Sequence, residues 1–140
     1  MKVAAATLAL GTCLSLVSGA GPVSGQDIPE AQVIEITAKK YEYDPGEIRV
    51  KVGTRVQLKV RALDRSHGMK FKLYPKGERE QGPAGLTFPD GKNDFRLEQD
   101  EVVTIEFVAE RPGEYDIECS VFCGFGHRGM DGKLIVEPIS

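Results

Sequence analysis

The stretch Ile48–Ala62 reads IRVKVGTRVQLKVRA. Ile48, Val50 and Val52 alternate with Arg49 and Lys51; beyond Gly53 and Thr54, Val56, Leu58, Val60 and Ala62 alternate with Gln57, Lys59 and Arg61. A period of two sends successive side chains to opposite faces, so each run is a strand with one buried and one wet side. Gly53-Thr54 is the turn between them, and Asp44-Pro45-Gly46 is the turn before the first.

The same period continues in both directions. Upstream, Val33–Ala38 reads as a strand. Downstream, Asp64-Arg65-Ser66-His67 ends the Val56–Ala62 strand, and His67 lies between it and the next one, in which Met69, Phe71 and Leu73 alternate with Lys70 and Lys72. Met69 follows that alternation and is expected in the core. Residues 74–93 carry Pro75, Gly77, Gly82, Pro83, Gly85, Pro89 and Gly91, and are expected as a solvated surface insertion rather than a docking loop or lid. Phe95 and Leu97 suggest a short strand; Val103, Ile105 and Phe107 a clear one. Arg111-Pro112-Gly113 is a turn, Glu114–Cys119 a strand, Asp131-Gly132 a turn and Lys133–Glu137 the last strand. There is no convincing helix or repeat. Seven or eight short, evenly spaced strands predict an all-β Greek-key sandwich or barrel.

Charge is mildly acidic, with 18 basic and 21 acidic residues, which argues against nucleic-acid binding. Residues 1–20 read as a secretory signal: Lys2, an apolar run from Val3 to Val17, then Ser18-Gly19-Ala20 for cleavage. Residues 21–32 follow as a flexible leader and 33–140 as one domain. The expected location is periplasmic or extracellular, with membrane association only if the signal stays on. Cys13 leaves with the signal, so the mature chain keeps Cys119 and Cys123. In an oxidising compartment these two could form a disulfide.

The chemistry is concentrated in Cys119–Met130, CSVFCGFGHRGM. Two thiols, an imidazole and a thioether lie within one loop with no carboxylate between them. Thiolate and thioether select copper, and imidazole suits it too, whereas magnesium and calcium take oxygen ligands. Gly124, Gly126 and Gly129 permit the tight backbone that convergence needs. His67 is the one other histidine and the natural recruit. Phe122 and Phe125 read equally well as core residues or as an apolar collar around a site.

The run Phe107–Tyr115, followed by Cys119 and the ligand loop, resembles the cupredoxin family. The spacing C-x3-C-x3-H-x2-M is similar to the dinuclear copper A domain of cytochrome c oxidase subunit II and of nitrous oxide reductase, and Asp64–His67 resembles that family's upstream D-x-x-H segment. The resemblance implies two coppers bridged by the thiolates of Cys119 and Cys123. It gives His67 and His127 one copper each, makes Met130 a weak axial ligand, and assigns the Val121 backbone carbonyl to the other metal. It implies electron transfer with a redox partner protein, with no substrate and no catalysis. Subunit II usually carries an acidic residue where this chain has Val121, and the chain has no tryptophan to serve as an aromatic electron-entry residue. Other readings of the same residues are a one-copper blue site of His67, Cys123, His127 and Met130, copper delivery or storage, a zinc site of Cys119, Cys123, His67 and His127, and a metal-free, disulfide-bonded interaction module.

Overall fold

The computed structural model describes residues 30–140. The expected signal and most of the expected leader lie outside the described residues. The chain runs through β1 (Gln32–Lys39), β2 (Glu42–Asp44), β3 (Glu47–Lys51), β4 (Arg55–Ala62) and β5 (His67–Phe71). It continues through β6 (Leu86–Thr87), β7 (Asp94–Leu97), β8 (Val102–Ala109), β9 (Gly113–Glu118) and β10 (Asp131–Glu137). Two five-stranded sheets result, ordered β2-β1-β4-β8-β6 and β3-β10-β9-β5-β7. β1 runs parallel to β4 and β3 parallel to β10; the other pairings are antiparallel. Among the described residues no helix is long and apolar enough to cross a membrane.

The core follows from the alternation. Val56, Leu58, Val60 and Ala62 of β4 are buried, as are Ile105, Phe107 and Ala109 of β8, beside which β4 runs. From the other sheet Met69, Phe71, Tyr115, Ile117, Leu134 and Val136 close the sandwich. Each fully buried aliphatic or aromatic side chain of this size contributes about 1.5–3 kcal/mol relative to an exposed one.

Four sequence expectations need correction. The segment 74–93 is not simply a solvated insertion, because it returns to the core: Leu86 and Phe88 are buried, and Phe88 packs on Phe71 and Phe107 with ring centroids 5.4 Å away in each case. β6 is tied to β8 through Leu86 and Thr87, so a stretch dense in Gly and Pro still carries core residues two apart. Asp131 and Gly132 do not turn the chain; they pair with Glu118 and Ile117 as the first residues of β10. The reversal comes earlier, in a short 3-10 turn at His127–Gly129. His67 is the first residue of β5 rather than part of a connection. Glu42–Asp44, next to an expected turn, forms an additional three-residue strand.

Candidate metal centre

Three elements build the site. β9 and β10 are antiparallel neighbours, and Cys119 N–H donates to Met130 O at 3.1 Å, which closes the base of the loop between them. β5 lies beside β9, pairing through Lys70 with Glu118 and Phe71 with Ile117, so the start of β5 is carried to the base of the same loop. His67, fully buried, is thereby set against Cys119 and Cys123. One ligand atom from each of these three residues lies within 4.8 Å of the others.

The sulfurs are not joined. Cys119 and Cys123 are free and buried, with Sγ atoms 3.5 Å apart, against about 2.05 Å for a bonded pair. Met130, also buried, places its Sδ 3.9 Å from Cys123 Sγ. The Val121 carbonyl accepts from Cys119 Sγ at 3.1 Å, so that oxygen also borders the sulfur pair. The structure therefore brings together His67, Cys119, Val121 O, Cys123 and Met130. His127 is in the same loop but outside the compact group formed by His67 and the two cysteines. It starts the 3-10 turn, with its ring edge-on to Phe122 at 5.3 Å.

Whether these residues fit a soft metal is answered by the imidazoles. Nδ1 of His67 and Nδ1 of His127 are both buried and have no hydrogen-bond partner. Such orphans are costly unless something binds them. In His67 the other nitrogen is committed: Nε2–H donates to Asp64 Oδ1 at 2.7 Å. That bond fixes the tautomer and leaves Nδ1 as the free electron pair, the arrangement typical of a metal-binding histidine. Burial tends to raise the Asp64 carboxyl, but hydrogen bonds from His67 and from the Lys40 N–H outweigh it, and the group sits below the ordinary carboxylate range. Desolvation first, and then the neighbouring Cys119 sulfur, push the Cys123 thiol up to about 11. A buried thiol pair with two unpartnered imidazole nitrogens nearby is a donor set that fits copper.

The surroundings limit the loop's freedom. Arg65 Nη1 donates to the Cys123 carbonyl at 2.9 Å. Tyr41 lies across the loop so closely that a Cβ on Gly126 would fall 2.4 Å from its ring, and one on Gly124, at φ +132°, 2.5 Å from its hydroxyl. Tyr43 Oη donates to Gly68 O at 2.5 Å. Burial, and then the two sulfurs, push that phenol far above the ordinary tyrosine range, so it remains a neutral donor. Phe122 and Phe125 are 67% and 99% exposed and meet edge to face, so they are a collar and not core. A cavity of about 360 Å³ lies beside the loop, lined in part by Cys119, His127 and Met130. Sequence reasoning missed Tyr41, Tyr43 and Arg65. No local signal marks the tyrosines: Tyr41 sits in the turn between β1 and β2 and Tyr43 in the three-residue β2, and the fold brings them to the loop.

The family model of the cupredoxin-like domain matches residues 5–136. The chain belongs to this family. Its all-β sandwich of two sheets is that of a cupredoxin-like domain. This cupredoxin-like chain is 27% identical over 110 residues to cytochrome c oxidase subunit 2 of Thermus thermophilus, covering 78% of this chain and 68% of that one. A second Thermus thermophilus subunit 2 matches at the same identity, with 55% of its length covered. Among solved structures, auracyanin from Roseiflexus castenholzii superposes with a TM-score of 0.53 at 23% identity, covering 78% of this chain and 100% of that one. The periplasmic domain of cytochrome oxidase subunit II from Bradyrhizobium japonicum gives a TM-score of 0.56 at 18% identity, covering 79% and 88%. At these identities the structural likeness is one of fold.

Proposed function

We propose that this chain is an exported electron carrier with a dinuclear copper centre. Cys119 and Cys123 would bridge the metals, His67 and His127 would supply one imidazole each, and Met130 and the Val121 carbonyl would be the weak outer ligands. The observation that carries this reading is the pair of free sulfurs 3.5 Å apart, both buried in one group with His67. A one-copper site needs a single thiolate and leaves no role for the second.

Copper held by these residues would supply one-electron redox chemistry, with the charge change spread over both ions and the thiolates of Cys119 and Cys123. The protein's part is to hold the donors still in both oxidation states. Cys119 and Met130 are fixed at the loop base by their backbone bond, His67 by Asp64, and the loop tip by Tyr41 and Arg65. A loop held at both ends supports a permanent centre over copper delivery, which calls for exchangeable ligands on a mobile segment. Phe122 and Phe125 offer a redox partner protein an apolar contact next to His127. Subunit 2 relatives from an oxidase, whose length this chain only partly spans, make a respiratory oxidase or its electron donor the natural partner class.

The test is copper stoichiometry with absorption and electron paramagnetic resonance spectra. Wild type is expected to bind two coppers per chain and to show the mixed-valence signature of a shared electron. Cys119→Ser is expected to lose that signature and keep at most one copper, Cys123→Ser to be as damaging, and Met130→Leu to keep both metals. A Cys119→Ser protein with the wild-type spectrum and copper count would overturn the dinuclear reading in favour of a blue-copper site. N-terminal sequencing of exported protein is expected to start near Gly21, or else near Gln26; a start at Met1 would remove the cleaved signal.

A further inference from the structure

Gly68 occupies the place where a β-ladder runs out. β5 pairs with β9 through Phe71 and Lys70 and no further, because β9 ends at Glu118 and the chain turns off into the ligand loop. On its other side Gly68 lies opposite Arg96 of β7. Its buried N–H and C=O must find partners off the ladder. The N–H is bonded to Cys119 Sγ at 3.4 Å, and the C=O accepts from Tyr43 Oη at 2.5 Å.

Gly68 has no side chain to anchor it and no room for one. A Cβ there would lie 2.2 Å from Ser120 Oγ and 2.7 Å from the backbone nitrogens of Ser120 and Val121. The β5–β7 pairing holds the strand on one side, and on the side that faces Cys119 this backbone is held by its own two hydrogen bonds. Tyr43 comes from β2, at the edge of the opposite sheet, and its side chain is buried. Asp64 fixes the imidazole of His67, but the backbone one residue later has a separate anchor.

We propose that Tyr43 is a positioning residue of the metal centre: by holding the Gly68 carbonyl, its hydroxyl keeps the Gly68 N–H directed at the Cys119 sulfur. An N–H bond to a thiolate draws electron density from the sulfur and favours the reduced metal, one of the levers on a copper–thiolate potential. The redox consequence rests on the copper reading; the hold on Gly68 does not.

Tyr43→Phe keeps the ring and removes only the hydroxyl. Tyr115→Phe is the matched control, because Tyr115 Oη donates to a backbone carbonyl, that of Arg111, at 2.8 Å and is not a partner of the ligand group. In the metal-free protein, Tyr43→Phe is expected to speed hydrogen exchange of the Gly68 amide about fivefold and to move its nuclear magnetic resonance signal, while Tyr115→Phe leaves both unchanged. After loading with copper alone, Tyr43→Phe is expected to retain the wild-type copper count. Its thiolate charge-transfer absorption should shift, and its reduction potential should fall by the equivalent of about a fivefold change in the ratio of oxidised to reduced centre. The control should show neither change. If Tyr43→Phe only lowers the melting temperature, as Tyr115→Phe does, with the Gly68 amide, absorption and potential unmoved, the positioning role is overturned. A wild type that takes up no copper would defeat the copper reading, and the amide measurement would still decide the hold on Gly68.

Discussion

Asp64 divides its carboxylate between two elements: Oδ1 accepts from His67 Nε2, and Oδ2 from the backbone N–H of Lys40 at 3.0 Å. It therefore orients the imidazole and ties it to the segment that carries Tyr41. Asp64→Asn is expected to weaken copper binding by about 10–100-fold, measured by competition with a chelator, while the fold survives. The thiols make uptake depend on pH in a definite direction. Cys123 holds its proton up to about 11 in the metal-free protein, so copper must displace a proton that is firmly bound at neutral pH. Copper affinity is thus expected to rise with pH through the neutral range, with proton release from Cys123 in a weakly buffered titration. An affinity independent of pH would mean the sulfurs are not ligands. At this scale the sequence was informative about donors and uninformative about their supports. Sulfur and imidazole announce their chemistry by residue type, whereas Tyr43 and Arg65 matter through where the fold sends them.

Two glycines separate the ligand loop from the scaffold at the level of elements. A methyl group on Gly126 would strike the ring of Tyr41, which is partly exposed and lies outside the core. Gly126→Ala is therefore expected to loosen the loop and lower copper affinity with little loss of thermal stability. A methyl group on Gly85 would lie 1.9 Å from the hydroxyl of Tyr115, whose ring is fully buried and has nowhere to go. Gly85→Ala is expected to cost about 1–3 kcal/mol in denaturant unfolding of the metal-free protein, without a selective change in the copper spectrum. The same contrast explains which elements could be read in advance. β4 and β8 have two chemically different faces, so their alternation is visible residue by residue. β2 has only three residues, paired with the end of β1 just before it, and Asp131-Gly132 resembles a turn but is extended because it pairs with Glu118 and Ile117 of β9. Gly132 lies under Tyr43, and a Cβ there would sit 3.3 Å from that ring.

The molecule as a whole has a core that does not depend on the metal, since its buried apolar residues extend through both sheets. The metal-free protein is expected to stay folded, with a β-type circular dichroism spectrum, and to melt at a higher temperature once copper is added in excess. Its acid limit follows from surface carboxylates. Glu106 is held below its ordinary value of 4.5 by hydrogen bonds from Gln57 and then Arg55, and Glu114 by one from Lys133. A depressed folded-state value means that the stabilisation is present above the unfolded value and is lost as pH falls through the folded one. Stability of the metal-free protein is thus expected to decline below about pH 4.5, and Glu106→Gln to flatten that decline in unfolding curves taken across this range. The overall sandwich could be read from period-two runs because burial on one face is a local pattern. The parallel neighbours β1 with β4 and β3 with β10 could not, because no turn between them dictates the pairing. Short strands terminate both sheets: β2 and β6 on one, with three and two residues, and β3 and β7 on the other, with five and four. On β3, Glu47, Arg49 and Lys51 point outward. An unpaired edge this brief, and charged where it is longest, gives a second chain little to extend, so the same architecture that frames the ligand loop also guards against edge-to-edge aggregation.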